Sequence, residues 1–168
     1  MNVPRLRALL FGVSGLLAAA CATHYGEYNL ARPGGYNDER LAANRWRVDS
    51  RSTPSSGADF STNMALVRGA ILAKAAGFSI IHVVNLRIID FENIAGRAGQ
   101  AAHLTIVGTN DAAAPLSCEG NERFAKNCRI LPVDAILETL APRVGLTPAQ
   151  VEQEVARTRA AAASAPAL

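Results

Sequence analysis

The sequence predicts an α/β domain of the α+β type, with a small three- or four-stranded sheet, two helices packed on one face, and a C-terminal helix. Residues 78–90 are mostly β-branched and apolar on both faces, as in a central strand. Over residues 64–76, the spacing of Met64, Val67 and Ile71 predicts an amphipathic helix. Hydrophobic residues make up 49% of the 168 residues and charged residues 18%, so the composition excludes an intrinsically disordered chain.

Shorter elements complete the predicted domain. Residues 46–51 alternate as a strand with Trp46 and Val48 on one face, and residues 103–108 form a further strand. Residues 132–140 predict a helix that packs inward through its isoleucine and leucines.

Two segments between and after these elements have turn or tail character. Residues 92–102 contain Gly96 and Gly99 and are predicted to form a loop. Thr147, followed by Pro148 and by Gln150, has the pattern of a capping box and predicts the start of the C-terminal helix.

The N-terminus has the organisation of a signal peptide. Arg5 and Arg7 precede an apolar run over residues 8–20, which at about 13 residues is shorter than the 20 or so that cross a bilayer. Residues 1–20 are therefore predicted to be a signal peptide. A retained transmembrane anchor is the alternative that this length disfavours.

Cys21 follows a run of small residues, and this arrangement resembles a bacterial lipobox, in which the cysteine is acylated, for example with palmitate. We therefore expect lipidation at Cys21, while ordinary secretory cleavage near it stays open as the alternative. Two acyl chains would anchor the protein stably to a membrane. In lipoproteins that this region resembles, a residue such as Ala22 after the cysteine favours the outer membrane over the inner membrane.

These features divide the chain into four predicted parts. Residues 1–20 are the signal peptide, residues 21–35 a flexible tether with several glycines, and residues 36–145 the α/β domain. Residues 146–168 are the C-terminal helix and an Ala-rich tail from about residue 160 that is expected to fray.

The net charge gives no support to a nucleic-acid partner. The 17 basic and 14 acidic residues give +3, and loss of Arg5 and Arg7 with the signal peptide leaves +1. The processed chain contains no dense run of Lys and Arg, which a nucleic-acid binder would be expected to carry.

Cys118 and Cys128 are expected to form a disulfide. They lie ten residues apart in a polar, turn-rich segment, and an exported protein meets an oxidising compartment. Metal ligation is the competing interpretation, but neither a CxxC spacing nor a nearby histidine supplies further ligands.

An ordered set of residues resembles a known family. Gly35-Tyr36, Trp46-Arg47-Val48, the helix containing residues 65–68, and Gly77-Phe78 before an apolar strand resemble a family of uncharacterised Gram-negative outer-membrane lipoproteins with a GY…WRV signature. That resemblance implies an outer-membrane, periplasm-facing location and a small α/β fold, and it implies no chemistry. The architecture also has a looser likeness to Rcs-type stress-sensing lipoproteins.

No catalytic residue, metal ligand or cofactor is assigned from the sequence. His82 and His103 lie on predicted strands, and a third ligand would have to come from Asp90, Glu92 or Asp111. Histidines with ordinary hydrogen bonds explain the pattern more simply.

Tyr36, Trp46 and Arg47 are candidates for an interaction surface, because aromatic and arginine side chains are enriched at binding hot spots. Trp46 has the alternative role of a core anchor. The sequence thus predicts a non-enzymatic envelope lipoprotein that binds a protein or cell-wall partner. A disulfide-bearing stress-signalling module and a metal-dependent hydrolase are the alternatives.

Overall fold

The computed structural model describes residues 25–28, 34–53, 55–57, 59–92, 98–119 and 127–164. These ranges form an antiparallel sheet and three α-helices, which confirms the predicted α+β class. The sheet has five strands rather than three or four. Within these ranges, none of the helices has both the length and the apolar character needed to cross a bilayer.

The strands follow one another in the sheet in the order β1-β2-β4-β3-β5, and every neighbouring pair is antiparallel. The elements are β1 Gly35–Ala42, β2 Arg45–Ser52, α1 Phe60–Ala75, β3 Ile80–Glu92, β4 Ala98–Thr109, β5 Arg129–Pro132, α2 Val133–Leu140, a 3-10 turn at Pro142–Val144, and α3 Pro148–Ser164.

The two faces of the sheet have different surroundings. Helix α1 lies against β2 and β4 on one face, here called the helix face, while α2 and α3 contact α1. The sequence predicted two helices on one face of the sheet. Only α1 covers the central strands, while α2 packs against α1. The opposite face, here called the open face, has no helix of the described residues against it.

Alternation along the strands assigns each residue to a face. Trp46 lies opposite Ile106, and Val48 lies opposite Leu104, and all four side chains are buried on the helix face. The intervening residues of β2 project from the open face, because successive side chains of a strand point to opposite sides.

Helix α1 is buried more completely than the predicted amphipathic stripe implies. Residues 64–73 are all buried, including Arg68, because α1 lies between the sheet on one side and α2 and α3 on the other. A helix enclosed in this way needs no polar face. Gly69 faces the sheet, where a Cβ would lie 3.2 Å from Ile106 and 3.3 Å from Leu104, so its lack of a side chain permits close packing.

Two strand regions differ from the predictions. β1 was not predicted, because residues 37–40 are all polar and show no alternation of apolar and polar positions. β4 begins at Ala98, inside the predicted loop of residues 92–102, and Gly99 pairs there with Phe91. A Cβ at Gly99 would lie 2.6 Å from the Phe91 ring, so this glycine accommodates an aromatic neighbour instead of forming a turn.

The C-terminal helix begins as predicted. The Thr147 backbone N–H donates to Gln150 Oε1, and the Gln150 N–H donates back to Thr147 Oγ1, as in a capping box. Val151 and Val155 are its buried residues. The helix continues to Ser164, beyond the point at residue 160 where fraying was expected, and residues 165–168 lie outside the described residues.

Candidate functional site

The predicted interaction residues do not share a surface. Tyr36 is fully buried, and Trp46 is 4% exposed, because both side chains point to the helix face. Arg47 lies on the open face and is exposed, where it pairs with Glu39. The surface role is therefore wrong for Tyr36, which belongs to the core. Trp46 has its alternative role of a core anchor, and of the three residues Arg47 alone is accessible.

The predicted lipidation residue, Cys21, lies outside the described residues. The chain after it is described from Tyr25, whose ring packs against that of Tyr36 with centroids 4.9 Å apart. The Tyr28 N–H donates to the Tyr36 carbonyl at 2.7 Å, and the Tyr36 N–H donates to the Gly26 carbonyl at 2.9 Å. Residues 25–28, within the predicted tether of residues 21–35, are thus attached to the start of β1.

Gly35 makes this attachment possible. Its φ of 144° is one that residues with side chains rarely adopt, and a Cβ at this position would lie 2.6 Å from the Gly26 carbonyl oxygen. Gly35 therefore has a structural role, because its lack of a side chain lets the segment before β1 pack against the strand.

Cys118 and Cys128 lie at disulfide distance, with Cα atoms 5.9 Å apart. The residues beside them are fixed to β3, since the Glu119 N–H donates to the Val84 carbonyl at 2.7 Å and Asn127 Nδ2 donates to the Leu86 carbonyl at 3.0 Å. These carbonyls are available because β5 pairs with β3 only up to Val83.

The segment bearing these cysteines is also connected to the open face. Glu119 forms an ion pair with Arg45 of β2. Near β5, His82 and Val84 are buried. His82 Nε2 is buried without a hydrogen-bond partner among the described residues. One end of the open face is thus partly covered, and the other end is free.

The two histidines are not brought together. His82 lies opposite Val107 and His103 opposite Arg87, so they are four residues apart along β4, or about 13 Å at strand rise. His103 Nδ1 lies 2.5 Å from Asp49 Oδ1, and Asp90 accepts from Gln100 instead. Across the described ranges, no three His, Cys, Asp or Glu side chains converge as a metal site would require.

The free end of the open face contains a groove of about 450 Å³. Its walls are built by strands β1 to β4 and by the attached segment before β1. Side chains that line it include those of Tyr28, Asn37, Asp49, Arg51, Phe91 and His103.

The charges of this groove are unevenly paired. Asp49 is paired with His103, and the Arg51 guanidinium carbon lies 5.0 Å from the centroid of the Phe91 ring. Arg51 and Arg87 have no carboxylate of the described residues within salt-bridge distance, while Arg87 lies beside His103 on the same face. The groove therefore combines aromatic rings with one guanidinium group, that of Arg51, while Arg87 lies outside its lining.

Ser50, the serine next to the His103–Asp49 pair, faces the other way. Its Oγ donates to the Ser61 carbonyl at 2.7 Å on the helix face. The three residues are therefore not arranged as a nucleophile with its base, since the hydroxyl and the imidazole lie on opposite sides of the sheet.

A second polar cluster lies inside the molecule, around Arg68. Its Nε donates to Asp38 Oδ1 at 2.7 Å, one terminal nitrogen donates to Thr158 at 3.0 Å, and the guanidinium lies 4.7 Å from the Tyr36 ring centroid. Arg68 is only 6% exposed. The cluster connects α1, β1 and α3, which indicates a structural role.

The ionisation of this cluster follows from its burial. Burial raises the pKa values of Tyr25 and Tyr36, with the Arg68 charge acting in the opposite direction. Burial alone would lower the pKa of Arg68, but the Asp38 hydrogen bond and the neighbouring tyrosines more than compensate, so its pKa is raised. Arg68 is therefore a permanent buried cation beside neutral phenols.

Part of this arrangement was visible in the sequence and part was not. Arg45, Arg47, Asp49 and Arg51 alternate along β2, a spacing that places them on one face. Tyr28 and Phe91 gave no signal, because their position at the groove depends on the pairing of β1, β3 and β4.

Comparisons of the chain with protein families, with curated proteins and with solved structures find no match. The fold and the groove are therefore the observations from which a function has to be argued.

Proposed function

We propose that the protein is an envelope lipoprotein, anchored through Cys21 at the outer membrane and facing the periplasm, whose domain is a non-enzymatic binding module. The observation that carries the binding role is the asymmetry of the sheet, because helices cover one face and the other presents a charged groove. An antiparallel sheet can leave one face in water, and such a face is available for a partner.

The chemistry of the groove supports binding rather than catalysis. Its polar groups are the Arg51 guanidinium, an imidazole–carboxylate pair and an amide, and the neighbouring serine hydroxyl points to the other face. A partner that is an envelope protein or a cell-wall component with acidic groups fits this surface.

The anchor is tested by labelling cells with a palmitate analogue. Wild-type protein is expected to be labelled, and Cys21→Ser is expected to lose the label. The double variant Cys118→Ser/Cys128→Ser is the matched control and should retain it. Label that persists in Cys21→Ser would contradict the anchor.

The binding role is tested by photo-crosslinking in intact cells. A crosslinking residue at Arg47, on the open face, is expected to capture a defined partner. The same residue at Glu138, which is exposed on α2 away from the sheet, is the control. Equal capture from both positions would contradict a role for the open face.

A second candidate function is an envelope-stress signalling module that responds through its disulfide. The observation that favours it is the attachment of the residues beside Cys118 and Cys128 to the free carbonyls of β3. Reduction of the disulfide would release the segment that contains Glu119, whose carboxylate pairs with Arg45 of β2. If Cys118→Ser/Cys128→Ser left partner capture and the stress response unchanged, this function would be excluded.

A further inference from the structure

The first step concerns the shape of the groove on the open face. Its floor is one row of residues that lie opposite one another across the strands, namely Gly35, Arg51, Ala101 and Ile89. Gly35 has no side chain and Ala101 has only a methyl group, so the floor is low at these two positions. From β1 to β3 the row crosses three strand spacings, or about 14 Å. The groove is therefore elongated and suits a chain-like ligand.

The second step concerns the polar groups beside this floor. The next row across the sheet consists of Asn37, Asp49 and His103, which lie opposite one another on β1, β2 and β4. The exposed Asn37 side chain makes no hydrogen bond to another residue in the described part of the chain. An amide, a carboxylate and an imidazole together offer both donors and acceptors. Sugar hydroxyl groups also donate and accept, so this row is complementary to a line of them.

The third step concerns the charge inside the groove. Its lining contains one carboxylate, that of Asp49, and one guanidinium, that of Arg51, so the formal charges cancel. The Asp49 carboxylate is already paired with His103, which leaves no free carboxylate in the lining for a cationic ligand. The groove itself therefore favours a neutral ligand that forms hydrogen bonds.

The charge around the groove points the same way. Glu27, Asp90 and Glu92 are exposed at this end of the molecule and form no ion pair within the described ranges. Asp90 and Glu92 alternate with Phe91 along β3, so their side chains point away from the groove. These carboxylates lie near the groove without lining it, and they would repel a polyanionic partner.

The fourth step concerns the apolar surfaces at the two ends of the groove. Tyr28 is 49% exposed and belongs to the segment attached outside β1, at one end. Phe91 of β3 lies at the other end, where the centroid of its ring is 5.0 Å from the guanidinium carbon of Arg51. Aromatic rings provide broad apolar faces, on which the C–H faces of sugar rings can pack. The exposed ring of Tyr28 thus supplies a stacking surface beside the polar row.

We propose that the groove binds a short stretch of glycan through its uncharged sugar rings, and that in the envelope this ligand is the glycan strand of the cell wall. The inference deepens the proposed function and rests on it, since it selects the cell-wall partner over an envelope protein. Tyr28 packs on one sugar ring, and the row from Asn37 to His103 binds hydroxyl and acetamido groups. Acidic groups on such a strand meet only Arg51, so the sugar rings dominate recognition. The groove volume of about 450 Å³ is that of a small-molecule site.

Binding is measured by isothermal titration calorimetry on the full chain purified in detergent. The probe is the tetrasaccharide of β-1,4-linked N-acetylglucosamine, and maltotetraose is the control saccharide. We expect saturable binding of the probe and none of the control. The affinity should change by less than about twofold between low and high salt, because a neutral ligand forms no ion pair that salt could screen. Absence of binding, or equal binding of the two saccharides, would overturn the proposal.

The site is located with variants at exposed positions, where a substitution leaves the core intact. Tyr28→Ala and Asn37→Ala should each weaken binding of the tetrasaccharide about fivefold, since one loses the stacking ring and the other the amide. Tyr28→Phe retains the ring and should bind within about twofold of wild type. Glu138→Gln, exposed on α2 away from the sheet, is the control and should bind as wild type does. Equal affinities for all four variants would contradict binding in the groove.

Sedimentation with purified cell-wall sacculi separates failure of this inference from failure of the proposed function. Wild-type protein is expected to sediment with the sacculi, and Tyr28→Ala is expected to do so less. If the crosslinker at position 47 captured an envelope protein while neither sacculi nor the tetrasaccharide bound, the glycan ligand would be wrong and the binding module would stand. If nothing bound and nothing was captured, both would be contradicted.

Discussion

The two faces of the sheet use the same strands but are stabilised in different ways. Along β2, Trp46 and Val48 are buried against α1, while Arg47 and Arg51 on the alternate positions remain in water. Burial of apolar area stabilises the helix face, and exposed ion pairs on the open face add little to stability. The helix face therefore determines whether the domain folds, and the open face is free to be selected for binding.

The largest effect is expected from adjacent substitutions in β4. Leu104→Ala removes a fully buried side chain from the helix face and should lower the free energy of unfolding by about 3 kcal/mol. Thr105→Ala, on the open face, should lower it by less than about 1 kcal/mol. Urea denaturation measures both, and similar losses would contradict the distinction between the faces.

The second largest effect is expected from loss of the disulfide at the partly covered end of the open face. Cys118→Ser/Cys128→Ser should reduce the free energy of unfolding by about 2–3 kcal/mol, because the unfolded chain gains freedom in the ten-residue loop. A reducing agent should cause a similar loss in the wild type and none in the double variant. A wild-type protein indifferent to reduction would show that the segment depends on its contacts with β3 alone.

The third effect tests the buried charge on the helix face. Asp38→Ala leaves the Arg68 guanidinium without its closest carboxylate and should cost about 2 kcal/mol of stability. Combining it with Arg68→Met should recover most of the loss, since no unpaired charge then remains in the core. Urea denaturation compares the free energies of unfolding of the two variants. If Arg68→Met lowered the stability of Asp38→Ala further, packing of the Arg68 side chain would outweigh its charge.

The fourth effect is a pH dependence from the same cluster. The pKa values of Tyr25 and Tyr36 are raised above the ordinary 10.0, so the folded state retains protons that the unfolded state releases. The contribution of the two buried phenols to the free energy of unfolding is complete well below pH 10 and declines as the pH rises further. For Tyr25, whose pKa is raised the most, the loss should be about 1 kcal/mol near pH 10.5. Phenolate absorbance should therefore appear with unfolding for these two residues, and early ionisation in the folded protein would contradict their burial.

The smallest effect belongs to the exposed pair on the open face. Glu39→Gln removes the partner of Arg47, and both side chains are about half exposed. The free energy of unfolding should fall by no more than about 0.5 kcal/mol, and the difference from wild type should vanish at high salt. Thermal unfolding at low and high salt measures this difference. A loss of stability as large as that of Asp38→Ala would contradict the distinction between the two faces.

The sequence predicts the elements whose signal is local. The β-branched run of β3 and the capping box at Thr147 were recognised because each depends on neighbouring residues. β1 and the start of β4 were missed, since their strand conformation is stabilised by pairing with distant residues. The burial of Tyr36 was not predicted, and that of Trp46 was one of two alternatives, because an aromatic side chain suits both a core and a binding surface.

The groove shows the same limit. The alternating charges of β2 predict a polar face, but the Arg51–Phe91 and Asp49–His103 contacts join residues that are 40 or more positions apart in the chain. Long-range contacts of this kind follow from strand order, which no local pattern contains.

The cluster around Arg68 has a consequence for the order in which the chain is completed during synthesis. Arg68 and Tyr36 are made early, whereas Thr158 and Arg157, which donate or accept hydrogen bonds in the same cluster, are made some 90 residues after Arg68. Until α3 has been made, Asp38 and the neighbouring tyrosine rings are the partners in this cluster that are available to Arg68. Helix α3, made long after β1, therefore completes the cluster that packs beside the attached segment Tyr25–Tyr28.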